Sequence, residues 1–385
     1  MKIMYILHES GSSFNGASRS ALTLVKAAVE NGDSVFVVLP MKKGKIVEEL
    51  DKIQNVKIIE SRFYNWKRRK SDSKIKQFGH MVKYHCLEKI KNNYESTRLA
   101  QLALKENIDI IHSNSSVVNI GGLIYKKTGI PHVWHVREFG EEDFSMYPFE
   151  SNRYFYGFMY KNATKIVCVS NAIQRKLKGN MPENKLCVVY NGVDIPDKNQ
   201  GEHIAGNLLI AGMISKNKGQ WIAVEAVDIL RKRGVDVRLF IAGKGNTENL
   251  GSFFENNKDR IELLGFVNDM EKIREVMDIE LMCSVSEGFG RTLVEGMASR
   301  LIVIASNRGS APEIVKEGIN GFLFESNNPK SLADIIEKVL KKQNIEKEQI
   351  RNQAYNDAID RFSKNVYINN IRNIYQLLEE EYNES

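Results

Sequence analysis

The chain has 385 residues, of which 42% are hydrophobic and 27% are charged, and its formal net charge at pH 7 is +7. This length suits two domains, and the composition is that of a globular protein rather than a disordered or fibrous one. The sequence has no run of eighteen apolar residues, so no membrane-spanning helix is predicted. The four widely spaced cysteines are typical of reduced thiols in a cytoplasmic protein.

The first half of the chain alternates short apolar segments with helical ones. The opening "KIMYIL" is typical of a β-strand, "ASRSALTLVKAAVEN" of a helix that stops at Gly32, and "SVFVVLP" of the next strand. Four later segments have the same apolar character: "IDIIHS", "PHVWHV", "KIVCVS" and "KLCVVY". Continuous apolar strands separated by helices predict a parallel sheet that is covered on both faces.

Residues 42–98 carry more than the whole net positive charge, with 16 lysines and arginines against 7 acids. The segment contains a basic cluster beside an aromatic ring: Trp66, Lys67, Arg68, Arg69 and Lys70. Basic residues with interfacial aromatics favour an anionic membrane surface, which is the first interpretation of this cluster. A solvated loop is the second interpretation. Nucleic-acid binding ranks last, because no nucleic-acid-binding motif accompanies the charge.

The segment "PHVWHVREF" ends a predicted strand with unusually polar residues. His132 and His135 lie in the strand, and Arg137 and Glu138 follow it directly. A histidine in such a strand is more often packed and hydrogen-bonded than catalytic. The seven histidines and four cysteines show no metal-ligand spacing, so no metal site is expected.

Residues 191–207 are polar and rich in Gly and Asn, which is typical of a linker. The alternation then resumes with six apolar segments: "NLLIAGM", "VRLFIAG", "RIELLGF", "IELMCSV", "LIVIAS" and "GFLF". The sequence therefore predicts an α/β protein with two doubly wound domains, whose ligands bind in the cleft between them, at the carboxyl ends of the strands.

The predicted domain bounds are 1–192 for the first domain, 193–206 for a linker, 207–362 for the second domain and 363–385 for a C-terminal helix. In that helix one buried face is predicted from apolar residues at near-helical spacing. These residues are Val366, Ile368, Ile371, Ile374, Leu377 and Leu378.

Glycine-containing turns after predicted strands are candidate ligand sites. Gly16 precedes the first helix, but the G-x-G-x-x-G spacing is absent, which argues against a dinucleotide-binding dehydrogenase. Gly219 follows Lys216 and Lys218, and a lysine at this place could neutralise a phosphate as a point charge. Two solvated lysines are the more common outcome.

The segment "SVSEGFGRTLVEGMAS" carries a glutamate on each side of a glycine-rich turn. Glu287 lies in the loop, and Glu295 lies about one turn into the helix that follows. Gly288 and Gly290 allow close approach of a ligand, and the free N–H groups of the first helical turn attract phosphate. Carboxylates hold vicinal hydroxyls, so this order of groups suggests a nucleotide sugar. The spacing alone leaves a solvated loop with ordinary surface acids equally open.

Five stretches, in this order, resemble the retaining GT-B glycosyltransferases of family 4, the glycosyl transferases group 1: "VSNAI", "VVYNGVD", "SKNKGQ", "EGFGRTLVEGMA" and "APEIVKEGINGFLF". The resemblance implies two Rossmann-like domains facing a central cleft, and a C-terminal helix that crosses back to the first domain. It also implies sugar transfer from a nucleotide diphosphate sugar, with a UDP-sugar favoured, with retention of configuration and without a cofactor or metal.

The same resemblance implies roles for individual residues. The expected catalytic residues are His135 at the donor sugar, Glu287 at the sugar hydroxyls and Lys218 at the diphosphate. The expected donor-binding residues are Gly16, Lys218, Phe266, Val267, Glu287, Gly288, Phe289, Gly290, Arg291, Thr292 and, at the ribose, Glu295. The residues expected on the acceptor side are Arg19, Asn114, Arg137 and Glu138.

Two departures from the family pattern stand out. The family usually has an arginine five residues before the diphosphate lysine, where this chain has Met213, so one diphosphate charge is missing. Arg291, Lys216 or Arg19 could replace it. The usual glycine pair before "PE" is Gly309 and Ser310 here, which is interpreted as a structural difference.

The expected function is transfer of a sugar to a glycan or lipid-linked acceptor in bacterial cell-surface polysaccharide biosynthesis. The enzyme is expected to be cytoplasmic and peripheral on the inner face of the cell membrane, without nucleic acid as a partner. Two alternatives stay open. One is a nucleotide-sugar epimerase or soluble-acceptor synthase of the same fold, and the other is a non-catalytic membrane-binding or polyanion-binding protein.

Overall fold

The computed structural model describes residues 1–9, 16–70, 73–196 and 203–383. The chain divides into an N-terminal unit, Met1–Gly192 with Tyr367–Ser385, and a C-terminal unit, Val193–Val366. Each unit has its own parallel sheet and its own hydrophobic core.

Among the described residues, the N-terminal unit contains a parallel sheet of seven strands in the order β3-β2-β1-β5-β6-β8-β9. Its elements are β1 (Lys2–Ile6), α1 (Gly16–Glu30), β2 (Ser34–Leu39), α2 (Lys45–Leu50), β3 (Val56–Glu60), β4 (Lys67–Arg69), α3 (Lys74–Lys83), a π-helical turn (Tyr84–Glu88), α4 (Lys89–Lys105), β5 (Ile110–Ser113), α5 (Ile120–Thr128), β6 (His132–Val136), α6 (Glu141–Phe144), β7 (Met146–Pro148), α7 (Asn152–Lys161), β8 (Lys165–Cys168), α8 (Asn171–Lys178) and β9 (Leu186–Val188). Strands β2 and β3 lie on one side of β1, and the later strands lie on its other side. The topological switch point of this doubly wound sheet is therefore between β1 and β5.

The described part of the C-terminal unit repeats this plan with six parallel strands in the order β12-β11-β10-β13-β14-β15. Its elements are β10 (Asn207–Ala211), α9 (Gln220–Lys232), β11 (Arg238–Ala242), β12 (Ile261–Gly265), α10 (Met270–Arg274), β13 (Ile279–Met282), α11 (Arg291–Ala298), β14 (Ile302–Ser306), α12 (Ala311–Ile314), β15 (Phe322–Phe324), α13 (Pro329–Leu340) and α14 (Asn344–Phe362), followed by α15 (Lys364–Asn383). The switch point lies between β10 and β13.

Alternate residues of the strands build cores on opposite faces of each sheet. In β1, Ile3 and Tyr5 belong to the cluster with residues of α1 and α15, whereas Met4 and Ile6 belong to the cluster with residues of α4 and α5. Because both faces are covered, neither face of a strand needs polar side chains. This burial explains the continuous apolar segments, and it confirms the predicted doubly wound α/β class.

Helix α15 packs a stripe of four residues against the N-terminal unit: Tyr367, Ile371, Tyr375 and Leu378. The predicted apolar stripe differs from this one, because Leu377 is 54% exposed. Two tyrosines hold the centre of the buried face. The hydroxyl of Tyr367 bonds to Arg137 and that of Tyr375 to His112, and a count of apolar residues alone overlooks both tyrosines.

Each predicted strand is present, whereas β3, β4 and β7 were not predicted. Strand β4 pairs antiparallel with β7, and both are three-residue strands without an apolar pattern. Since a sequence pattern needs several residues to show a period, such short pairings are decided by tertiary contacts.

The pairing of β4 corrects the membrane interpretation of the basic cluster at residues 66–70. Trp66 is buried, its ring stacks on Trp134 at 5.6 Å, and its Nε1 donates to the Ser116 carbonyl at 2.7 Å. Lys67 is also buried and donates to Ser116 Oγ at 2.7 Å. Burial lowers the pKa of Lys67, and the negative charge of Glu138 opposes that shift. In this cluster only Arg69 and Lys70 are exposed, and Arg68 is partly buried.

None of the helices in the described ranges has both the length and the apolar character required to cross a bilayer.

Candidate functional site

The switch point of the C-terminal unit brings two loops side by side. One loop follows β10 and ends at Gly219, and the other follows β13 and ends at Gly290. Gly219 has φ +70, and a Cβ there would lie 2.3 Å from the Cys283 carbonyl oxygen. Only glycine allows this approach, which places Lys218 directly beside the second loop.

Lys218 and Glu287 form an ion pair across these loops. The Nζ–Oε2 distance is 2.6 Å, and the two side chains are 36% and 21% exposed. An ion pair that is this accessible contributes roughly 0 to 1 kcal/mol to stability. Its partners can therefore be exchanged for the charged or hydroxyl groups of a ligand at little energetic penalty.

Gly290 is the N-cap of α11, with φ +80, and because glycine has no side chain it makes no cap hydrogen bond. A Cβ at this position would lie 3.0 Å from Met282 Sδ, so the residue type is restricted by space as well as by φ. Arg291 and Thr292 open the helix and are partly exposed. Uncapped N–H groups at a helix start bind anions.

Glu295 is held by two arginines one turn into α11. Its Oε1 accepts from Arg291 Nε at 2.9 Å, and its Oε2 accepts from Arg274 Nη2 at 3.1 Å. A carboxylate has about four acceptor sites, so each oxygen keeps one for a ligand hydroxyl. The carboxylate is thus oriented in advance rather than left to rotate.

Arg274 was missed by the sequence analysis. It is buried and also binds the buried Glu280 of β13, with Nε to Oε2 at 2.9 Å. Burial acts to lower the pKa of Arg274, but the carboxylates of Glu280 and Glu295 outweigh burial and raise it, so the guanidinium stays charged. A glutamate in the middle of an otherwise apolar strand was the available signal for a buried cationic partner.

Ser310 also belongs to this region, although the sequence analysis treated it as structural. Its backbone N–H donates to the Glu287 carbonyl at 3.0 Å, which fixes the second loop. Its Oγ is buried and has no hydrogen-bond partner among the described residues. The space beside Gly290, where a Cβ would lie 3.7 Å from this Oγ, therefore contains an unused donor.

The remaining expected donor residues of this unit divide between surface and core. Phe266 is exposed beyond β12, with Lys244 Nζ 5.9 Å from its ring centre, and Val267 is partly buried against the core. Phe289 is a correction: its ring is buried and packs on Phe362 at 5.9 Å, so it does not face a ligand. Gly288 is buried in the loop.

In the N-terminal unit, the expected catalytic His135 is fully buried, which corrects the expectation that it faces a cleft. Its Nδ1 accepts from Arg137 Nη2 at 3.2 Å, and His112 Nε2 lies 3.3 Å away. Arg137 also donates to Tyr367 Oη at 2.8 Å, and His112 Nδ1 lies 2.6 Å from Tyr375 Oη. The histidines are therefore covered by α15.

Burial lowers the pKa of His112 and of His135 well below the usual range, with the positive charge of Arg137 acting in the same direction. Both imidazoles are neutral near pH 7. With Nδ1 of His135 accepting, its proton is on Nε2, which is buried and has no partner among the described residues.

The residues expected on the acceptor side are mostly internal. Asn114 Oδ1 accepts from Arg137 Nε at 2.8 Å, and Glu138 Oε1 accepts from Ser116 N at 2.8 Å. All of these side chains are buried, whereas Arg19 is exposed on α1. Gly16 begins α1, and the rest of its predicted turn, residues 10–15, lies outside the described residues.

The described ranges contain no group of three or more His, Cys, Asp or Glu side chains that could hold a metal ion. What converges in the C-terminal unit is a lysine, an uncapped helix start and two carboxylates. Together they match an anion flanked by two hydroxyl-bearing groups.

Comparison with known proteins identifies the family. Residues 196–357 match the model of the glycosyl transferases group 1, and residues 14–196 match that of glycosyltransferase family 4. The chain is 30% identical over 315 residues to an uncharacterised glycosyltransferase of Methanocaldococcus jannaschii, covering 79% of this chain and 85% of the relative.

Two further comparisons support the fold and the family. The crystal structure of Anabaena HepE in complex with UDP matches with a TM-score of 0.77 at 20% identity, covering 98% of this chain and 100% of that one. The capsular polysaccharide biosynthesis glycosyltransferase CapM of Staphylococcus aureus is 26% identical over 234 residues, covering 55% of this chain and 61% of the relative. The fold is thus GT-B, and the chain belongs to the glycosyl transferases group 1, the family 4 glycosyltransferases.

Proposed function

We propose that this glycosyltransferase moves a sugar from a nucleotide diphosphate sugar, with a UDP-sugar favoured, to a glycan or lipid-linked acceptor in cell-surface polysaccharide assembly. The observation that carries the donor assignment is the Lys218–Glu287 pair at 2.6 Å beside the uncapped start of α11. The structures of Anabaena HepE with UDP and with UDP-glucose support a uridine donor. The similarity to CapM, a glycosyltransferase of capsular polysaccharide biosynthesis, supports the polysaccharide assignment.

Different residues of the site bind different parts of the donor. Lys218 and the first N–H groups of α11 bind the diphosphate and stabilise its charge as it leaves. Glu295 binds the ribose hydroxyls through the acceptor sites left free by Arg274 and Arg291. Glu287 exchanges its bond to Lys218 for the hydroxyls of the transferred sugar.

We infer that the transfer retains the anomeric configuration and proceeds without a covalent sugar–protein intermediate. The bond from the sugar anomeric carbon to the diphosphate oxygen breaks, and a bond to the acceptor oxygen forms on the same face. The acceptor proton passes to the leaving phosphate oxygen. The protein contributes positioning and charge stabilisation.

The donor assignment is tested by adding a panel of nucleotide sugars and following thermal unfolding. A donor that binds only the folded protein raises its stability, by about 2.7 kcal/mol at a hundred times its dissociation constant. We expect UDP and one UDP-sugar to raise the unfolding midpoint, and transfer to persist in EDTA with an unchanged anomeric configuration by NMR. If no nucleotide shifts the midpoint, the donor assignment is wrong.

A further inference from the structure

Helices α3 and α4 present an apolar surface to the outside. Within α3, none of the side chains at 75–83 is buried, although they include Ile75, Phe78 and Val82. The exposed apolar side chains of α3, the π-helical turn and the start of α4 are each between 45% and 85% exposed. We call them the apolar face: Ile75, Phe78, Val82, Leu87, Ile90 and Tyr94.

The inner side of the same segment is largely polar around one buried ring, Tyr84, which stacks on Phe149. Glu88, Asn92 and Glu95 are buried there. Asn92 bonds to the backbone N–H and carbonyl of Tyr64 at 2.7 and 2.8 Å, and Glu95 accepts from Ser61 Oγ at 2.8 Å. The second half of α4 packs Leu99, Ala100 and Ala103 into the core. Tyr84 and these polar contacts hold its start, so the exposed apolar side chains take no part in either contact.

The π-helical turn Tyr84–Glu88 keeps the apolar face continuous across the two helices. Ile75, Phe78 and Val82 have the spacing i, i+3, i+7 of one helix face. A π turn takes one residue more than an α turn. When that residue is subtracted, Ile90 and Tyr94 fall 14 and 18 positions after Ile75, which is the same face of a helix with 3.6 residues per turn.

The charge around the apolar face is positive. Residues 73–94 contain five lysines and one acid, Glu88, and that acid is buried and paired with Lys83 at 3.0 Å. Lys76 and Lys83 are exposed, and so is Lys89, which pairs with Glu150 at 2.7 Å; no acidic residue occurs in α3. Apolar residues on one face, with lysines beside them, are the pattern of helices that lie in the plane of an anionic bilayer surface.

We propose that the apolar face is a membrane-docking surface, which inserts Phe78 and Ile90 among the lipids while the neighbouring lysines bind anionic headgroups. The positive charge favours this occupant over a second copy of the chain. A twofold interface would bring the same lysines of both copies together, and like charges repel. The proposal deepens the proposed function, because it names the surface by which the enzyme would reach a lipid-linked acceptor.

The test uses the full chain and vesicles of phosphatidylcholine with or without phosphatidylglycerol. The variant Phe78→Gln/Ile90→Gln removes two side chains of the apolar face. The matched control is Ile345→Gln/Leu377→Gln, which removes two apolar side chains of 67% and 54% exposure from α14 and α15. Unfolding midpoints close to that of the parent establish that the variants fold.

We expect the parent and the control to co-sediment with the phosphatidylglycerol vesicles, and more weakly at high salt. The Phe78→Gln/Ile90→Gln variant should bind them at least about tenfold more weakly, because two large apolar side chains no longer become buried among the lipids. Lys76→Gln/Lys89→Gln should reduce binding to the anionic vesicles and leave the weak binding to pure phosphatidylcholine unchanged.

Equal vesicle binding by the parent and by Phe78→Gln/Ile90→Gln would overturn the proposal. A parent that does not bind vesicles would also overturn it. This includes a parent that sediments as a dimer, if the same substitutions dissociate that dimer. UDP binding is measured separately by calorimetry on each protein. A parent that binds vesicles but not UDP or any UDP-sugar would contradict the donor assignment and leave the docking surface intact.

Discussion

The two units use the carboxyl ends of their strands differently. In the N-terminal unit, His112, His135 and Arg137 are buried and bonded to one another and to the tyrosines of α15. In the C-terminal unit, Lys218 and Glu287 lie at the switch point and stay partly exposed in an ion pair. Removing one member of a buried hydrogen-bond network destabilises the fold, because its partners stay buried without a bond. An exposed ion pair contributes little to stability and can exchange partners. The same doubly wound plan therefore supports stability in one unit and leaves groups available to a ligand in the other.

The largest effect expected from this difference is acid destabilisation of the N-terminal unit. Burial lowers the pKa of His112 and His135, and lowers that of His132 to about 4. In the unfolded chain each pKa is about 6.5, so below that pH the unfolded state binds protons that the folded state does not. The stability is complete above about pH 6.5 and is lost as the pH falls toward 4, at about 1.4 kcal/mol per unit for each histidine.

Between pH 7 and pH 5 the expected loss is thus about 2 kcal/mol for each of these histidines. Urea unfolding in a Trp221→Phe background isolates the fluorescence of the buried Trp66 and Trp134, which report on the N-terminal unit. His132→Asn should remove about 2 kcal/mol of the pH-dependent loss. A loss that is the same in the parent and in His132→Asn would show that His132 is not kept neutral by burial.

A smaller effect, on activity instead of stability, is expected in the C-terminal unit. Lys218→Ala removes the positive charge nearest to the proposed leaving phosphate and should lower turnover about 100- to 1000-fold at saturating donor. Its unfolding midpoint should stay close to that of the parent, because the ion pair with Glu287 is partly exposed. Lys341→Ala is the control, since this lysine is exposed, pairs with Glu337 and has no part in the proposed donor site. Similar turnover of the two variants would contradict the phosphate role of Lys218.

The two glutamates should separate binding from turnover. Glu295→Ala is expected to weaken UDP binding by more than about tenfold, because the loss of two hydrogen bonds to ribose is worth about 2 kcal/mol. Glu287→Ala should lower turnover while UDP affinity changes little, since its expected contacts are with the sugar. Calorimetry with UDP and steady-state rates measure the two effects. Unchanged UDP affinity in Glu295→Ala would reject the ribose assignment.

The smallest effect is expected at a buried hydroxyl that lacks a partner. Ser310→Ala removes an Oγ without a hydrogen-bond partner among the described residues and should change the unfolding free energy by less than about 0.5 kcal/mol. Ser116 is the matched control in the N-terminal unit. Its buried Oγ donates to Glu138 at 2.6 Å and accepts from Lys67 at 2.7 Å, so Ser116→Ala should lose about 2 kcal/mol. Equal losses of unfolding free energy in the two variants would show that Ser116 and Ser310 contribute alike to stability.

Much of the fold could be predicted from local sequence. Strands such as β1, β6 and β14 are continuous apolar segments because both faces of their sheets are covered, and helices such as α1 interrupt them at regular intervals. The order of strands and helices then allows few topologies, because parallel crossovers are right-handed. The buried face of α15 was harder to predict, because Tyr367 and Tyr375 do not stand out in a pattern of apolar residues.

The candidate site was partly predictable for the same reason. Glu287, Gly290 and Glu295 lie on one loop and the helix that follows it, so their spacing already indicates their arrangement. The partners of these residues come from elsewhere in the chain. Lys218 and Arg274 lie 69 and 21 residues from the glutamates that they bind, and no local pattern relates them.

The sequence by itself thus determined the α/β alternation and the glycine-rich turn with its two carboxylates, because these depend on residues that are near one another in the chain. Only the tertiary structure decided which charged residues face outward. Lys67 is buried because Ser116 and Trp134 lie over its segment, and α4 faces the unit with Asn92 and Glu95 because Tyr64 and Ser61 offer polar partners there. The charge and hydropathy of a segment do not depend on which of its sides is buried. Only the contacts between distant segments determine that side.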